Sequence, residues 1–245
     1  MNGLTSPQRR HYLRQQSGYT IIEIMVALVI SLILLMGVIE IFMSSRTSYA
    51  LQSGVARLQE NGRYALDIMS RNIGMAGYNA PQGIVSANTL DNESENTGLG
   101  FTQALGTASD VIEITYESTT DCLGNASGGT ATDRYYVDGT TLMCLGNGNV
   151  NAGPLADGIE NMQILYGEDT DADKVANQYV SADNVTAWTN IVSVRIALLV
   201  STVDDINILN TNVYRLLNAP QLGPINDELV RRVYARTILL RNFTP

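Results

Sequence analysis

The chain has 245 residues and a net charge of −9, with 15 Lys and Arg against 24 Asp and Glu. Setting aside a short leader and a membrane-length helix leaves one ordinary domain, long enough to bury a core. The acidic balance works against binding nucleic acid through its phosphates. The single histidine, His11, falls in the leader, so the commonest general base and metal ligand is missing from everything after it.

Residues 1–18 contain Arg9, Arg10 and Arg14 and no acid, so removing them would take the charge from −9 to −12. A secretory signal places basic residues, an apolar stretch and then a small-residue cleavage site in that order. Here the basic residues are followed by Ser17-Gly18, and only then by the apolar run Tyr19–Met43. Cleavage after Gly18 would keep the apolar helix, and the arginines would hold the leader on the cytoplasmic side while the remainder is exported. Glu23 stands directly before the sixteen uncharged residues Ile24–Ile39. A carboxylate at bilayer depth costs on the order of 3 kcal/mol. The compensation expected is the free N-terminal amine of a neighbouring subunit, which exists only if the chain is cut after Gly18.

The apolar segment is expected to continue as one helix to about Ile73. Leu51, Val55, Leu58, Gly62, Leu66, Met69 and Ile73 recur at three- and four-residue intervals, a helical stripe. Arg57, Glu60, Arg63, Asp67 and Arg71 fall on other faces at ion-pair spacing, as a solvated face or as charges that select neighbours. Such a helix would be about 80 Å long, whereas a bilayer core takes up about 30 Å. Its outer half must therefore pack its stripe on something else. Gly74-Met75-Ala76-Gly77 and Pro81 end it.

Residues 78–109 are rich in Asn, Gly, Thr and Ser and read as a long surface loop with room for a short strand. Strands are expected over Val111–Tyr116, Arg134–Val137, Thr141–Cys144, Ile159–Tyr166, Val192–Ser201 and Val230–Leu240, with Asp138-Gly139 as a hairpin turn. Val175–Thr189 and Thr202–Leu229 connect strands and have room for short helices. The fold class is α+β, a long N-terminal helix packed on an antiparallel sheet. The expected divisions are 1–18 leader, 19–43 membrane-spanning half of the helix, 44–77 exposed amphipathic half, and 78–245 globular β-rich domain.

Cys122 and Cys144 lie in the part expected outside the cytoplasm, where an even count reads as one disulfide. Two buried thiols are the alternative, and no CxxC spacing supports a redox pair. Asp169, Asp171 and Asp173 alternate like the opening of a calcium loop. The sixth position is then Lys174, the only lysine, and the twelfth is Val180, so a solvated acidic turn is the preferred reading and calcium the alternative. No catalytic set emerges, and Trp188 reads as a core or surface anchor.

A basic leader, a glycine, an aromatic residue, a glutamate at the fifth mature position and a long apolar run resemble the class III signal of type IV pilins and type II secretion pseudopilins. The resemblance implies that a prepilin peptidase cuts between Gly18 and Tyr19, that Tyr19 is N-methylated, and that Glu23 sets register between subunits. Tyr19 stands where that family usually has phenylalanine. Major pilins often carry a proline in the membrane half of the helix, where this chain has only Gly37. Arg57–Leu66, Met75-Ala76-Gly77-Tyr78 and Arg231–Asn242 are similar to the PilW-type minor pilins, and the pseudopilin GspJ is a relative of similar architecture. The resemblance covers both ends and is weak through the middle. It implies a pilin roll and a non-enzymatic minor pilin that helps prime pilus assembly within a minor-pilin complex, for twitching motility or adhesion. A GspJ-like role in secretion, or a tip adhesin, is the alternative. It further implies prepilin peptidase, other minor pilins and the major pilin as partners, the inner membrane before assembly, and then the pilus. Acidic loops in the family, and calcium in some pseudopilins, support the alternative at Asp169.

Overall fold

The computed structural model describes residues 18–80, 84–85, 109–206, 209 and 211–242. Most of the predicted loop 78–109 and the leader up to residue 17 lie outside the described residues. The chain divides into two units, Met1–Ser48 and Tyr49–Pro245. Helix α1 (Ile21–Ile73) contributes to both.

In the second unit, the predicted stripe is the face that α1 buries. Leu58, Gly62, Leu66, Met69 and Ile73 are buried, joined by Ala65. Leu51 and Val55 are half-buried. Gly62 is required by proximity, because a Cβ there would lie 2.8 Å from the Tyr234 ring.

Where one sheet was expected there are two, both antiparallel. The first joins β1 (Ile84–Val85), β2 (Ile112–Thr120), β3 (Ala126–Asp138), β4 (Thr141–Gly146) and β5 (Gly153–Asp157) in chain order. The second has the order β7 (Gln178–Val180), β6 (Ile159–Glu168), β8 (Ile191–Ser201), β9 (Arg231–Leu239). The hairpin between β3 and β4 pairs Asp138 with Thr141. Its turn is therefore Gly139-Thr140, one residue later than Asp138-Gly139. Gly139 adopts φ 60°, as a two-residue hairpin loop with glycine first requires.

Period-two alternation explains the first sheet. Ile112, Ile114 and Tyr116 of β2, Ala131, Asp133, Tyr135 and Val137 of β3, and Leu142 and Cys144 of β4 are buried. Cross-strand pairing lines up Ile112, Tyr135 and Cys144 in one row, and Ile114, Asp133 and Gly146 in another. This face shares one core with α1 and with Met162, Ile164, Ile196 and Leu198 of the second sheet. Asn72 of α1 donates to the Tyr135 hydroxyl at 2.5 Å, linking helix and sheet. Strand β6 is buried throughout its length, so it shows no alternation. On the other face of the second sheet, Ala197 and Leu199 meet Leu216 and Leu222 of the segment after β8.

Short 3-10 turns occur at Ala182–Asn184 and Trp188–Asn190, in the first of the two predicted connections. Trp188 packs against the core, edge-on to Tyr166 with ring centroids 4.9 Å apart. Of the ion pairs expected within α1, Asp67–Arg71 forms at i,i+4 spacing, and two charges also reach partners outside the helix. Asp67 meets Arg71 at 2.9 Å but also Arg236 of β9 at 3.6 Å, and Arg57 reaches Asp204 rather than Glu60.

Candidate functional site

The start of α1 is built by Thr20. Its side-chain oxygen accepts the Glu23 N–H at 3.3 Å, and its carbonyl accepts those of Glu23 and Ile24. Thr20-Ile21-Ile22-Glu23 is thus a Thr-x-x-Glu helix start, with an acid in the first turn where the helix dipole favours it. Glu23 therefore has a local role that the charge-compensation argument did not include. Gly18 and Tyr19 precede the helix and are exposed. From Ile21 to Met43 the large apolar side chains are all exposed. Among the described residues α1 is the one helix long and apolar enough to cross a membrane. Arg46 stacks over the Phe42 ring, 5.3 Å from its centroid, at the end of the run.

Elsewhere the structure joins Cys122 to Cys144 in a disulfide, with Cα atoms 6.6 Å apart. The carboxylates of Asp169, Asp171 and Asp173 gather within 4.8 Å of one another. Asp169 is occupied within its own turn. It accepts the N–H groups of Asp171 at 3.1 Å, Ala172 at 2.7 Å and Lys174 at 2.7 Å. Burial would raise its pKa, but those N–H groups outweigh burial and hold it below the usual carboxylate range. Asp173 accepts the Val175 N–H at 2.8 Å. Asp171 and Asp173 are exposed. The arrangement explains the acidic spacing as turn chemistry.

Residues 13–39 match the prokaryotic N-terminal methylation motif, and residues 126–242 match the type IV pilus-assembly protein W family, PilW. Over residues 126–242, just under half of its length, the chain is similar to the PilW family. The two matches together support a type IV pilin-like minor pilin, and the apolar N-terminal helix fits a membrane anchor. No curated protein matches the sequence. Among solved structures it is similar to the type IV-like pilin TTHA1219 from Thermus thermophilus, at 15% identity and a TM-score of 0.45. That likeness covers 77% of this chain and 99% of the other.

Two polar clusters, centred on Arg231 and Asp133 of the PilW-matched region, are not among the sequence expectations. In one, Arg231 of β9 donates from Nε and Nη2 to Glu160 of β6, at 2.5 and 2.9 Å. It also donates from Nη1 and Nη2 to Asp227, at 2.7 and 2.5 Å. The Arg231 and Glu160 side chains are only 2% and 3% exposed. Burial opposes the charge on Arg231, yet its two carboxylate partners raise its pKa, and Asp227 is held low chiefly by its hydrogen bonds from Arg231. In the other cluster, Asp133 is fully buried on the core face of the first sheet. It accepts the Tyr116 hydroxyl at 2.6 Å and the Cys122 N–H at 2.9 Å. Period-two alternation through Ala131, Asp133, Tyr135 and Val137 could have revealed Asp133. Nothing in sequence could pair Arg231 with Glu160, which lies 71 positions away.

Proposed function

We propose that this minor pilin helps prime type IV pilus assembly as part of a minor-pilin complex near the tip, and so supports twitching motility or adhesion. The observation that carries the reading is the uncovered apolar surface of α1 from Ile21 to Met43, introduced by Gly18, Tyr19 and Glu23. Such a surface is stable in lipid or inside a bundle of similar helices, where close packing replaces lipid contacts. Cleavage after Gly18 by prepilin peptidase would free the Tyr19 amine, and methylation would leave it protonated. Glu23 of one subunit then pairs with the amine of the next and sets axial register. The Cys122–Cys144 domain lies outside the inner membrane and selects other minor pilins and the major pilin through its surface.

A deletion strain complemented with Glu23→Val tests this. The variant is expected to be processed normally and to restore surface pili poorly. Normal piliation would remove the register contact. Loss of secreted enzymes with intact twitching in the deletion strain would instead assign the chain to a secretion apparatus.

A further inference from the structure

The Cys122–Cys144 bond lies beside a buried carboxylate that the assembly role does not use. The two sulfurs and an Asp133 oxygen all lie within 4.8 Å of one another. Cys144 is fully buried, whereas Cys122 is half-buried. The site is built rather than accidental. Asp121 accepts the N–H groups of Leu123 at 3.0 Å, Asn125 at 2.8 Å and Gly148 at 3.0 Å, which fixes the loop that carries Cys122. The Asp121 carboxylate occupies the space that a Cβ on Gly146 would fill. Asp133 in turn is held by Tyr116 and by the Cys122 N–H.

A thiol at Cys144 would be surrounded by apolar side chains and a nearby anion, both of which suppress its thiolate. The thiolate is nonetheless the species that must attack to close the bond. We propose that Asp133 is the proton-transfer group of this disulfide, taking the proton from Cys144 when the bond forms and returning it when the bond is broken. Once the sulfurs separate in the reduced protein, the carboxylate is within reach of Cys144 directly or through one water.

The chemistry balances with an external disulfide as oxidant. The Cys122 thiolate attacks one sulfur of that disulfide, whose other sulfur leaves as a thiolate and is protonated by solvent. Asp133 then takes the Cys144 proton. The Cys144 thiolate attacks the Cys122 sulfur and expels the second thiolate of the oxidant, which is also protonated. Two cysteines are oxidised, one external disulfide is reduced to two thiols, and Asp133 passes its proton to solvent.

The groups that act on Asp133 are Tyr116 of β2, the Cys122 backbone and Asp121. Burial raises its pKa most and Asp121 adds to this, while the hydrogen bonds from Tyr116 and Cys122 oppose them. Tyr135 of β3 also senses the Asp133 charge, which adds to the effect of burial in raising its pKa.

The test uses the full chain in detergent micelles, reduced in the folded state and reoxidised with oxidised glutathione. Closure of the mixed disulfide is followed by acid quench, alkylation and intact mass. Asp133→Asn keeps an acceptor oxygen for the Cys122 N–H and turns an NH2 toward the Tyr116 hydroxyl, which can accept from it, but cannot take a proton. Its closure at neutral pH is expected to be slower by about 100-fold, the lower end for positioned proton transfer. Its rate should also lose the acid-side titration step seen in the wild type. Closure within about twofold of wild type, with the same pH profile, would overturn the proposal. Should Asp133→Asn fail to fold, Tyr116→Phe decides. Losing a hydrogen bond that favours the carboxylate should move the profile to higher pH. An unmoved profile would overturn the proposal.

Discussion

Replacing Arg231 with leucine tests the energetics of the buried cluster that joins β6, β9 and the segment just before β9. The guanidinium makes four hydrogen bonds of 2.5–2.9 Å to Glu160 and Asp227, and Arg231 and Glu160 are almost wholly shielded from water. Leucine would strand Glu160 in that environment without its partner. Breaking a buried pair on one side typically costs about 3–5 kcal/mol, mostly from the uncompensated charge. An exposed pair is worth about 0–1 kcal/mol. Arg57→Ala, which removes the long and exposed contact to Asp204 at 3.8 Å, is the internal control. Urea unfolding of the full chain in detergent can be read from the single tryptophan, Trp188, which packs on Tyr166 of β6. The pH dependence has a definite sign. Asp227 is held low by Arg231, so its contribution is present above the ordinary carboxylate pKa of about 4 and is lost as pH falls below it. Arg231→Leu should lack that acid-side loss. The double variant Glu160→Leu with Arg231→Leu should recover part of the deficit, because no buried charge is left alone. A cost below about 1 kcal/mol for Arg231→Leu, equal to that of Arg57→Ala, would refute the reasoning.

Gly62→Val should destabilise by about 1–3 kcal/mol through overpacking against Tyr234. Gly62→Ala should cost less, since alanine regains about 1 kcal/mol of helix propensity, and both are read by the same urea titration. Breaking the disulfide with Cys122→Ser should cost about 3 kcal/mol for the loop that it closes. Asp169→Ala should lower the melting temperature, because three backbone N–H groups lose their acceptor, whereas millimolar calcium should leave the wild-type melting temperature unchanged. A calcium-dependent rise lost in Asp171→Ala would show that the acidic turn holds a cation after all.

The helix and its buried stripe were legible because a 3.6-residue period survives across about six turns, from Leu51 to Ile73. The β3–β4 hairpin was legible from Gly139 and the alternation on either side of it. Strands β5 and β7 were not, being five and three residues long and so too short to show a pattern. Two sheets were read as one because alternation reveals which face a strand buries but not which strand lies beside it. Strand β6 gave even less, since both of its faces are covered. At the N-terminus the order of basic residues, glycine, aromatic residue and acid was readable as chemistry. The Thr20 cap is written in the same letters, as Thr-x-x-Glu, but the charge compensation expected at Glu23 does not depend on it.

The account depends on maturation at the start of α1. Intact mass and N-terminal sequencing of protein purified from its own cells measure it directly. The expected result is a chain that has lost residues 1–18, begins at Tyr19 and carries one added methyl group. A fully functional protein that still begins at Met1 and keeps Arg9, Arg10 and Arg14 would contradict it.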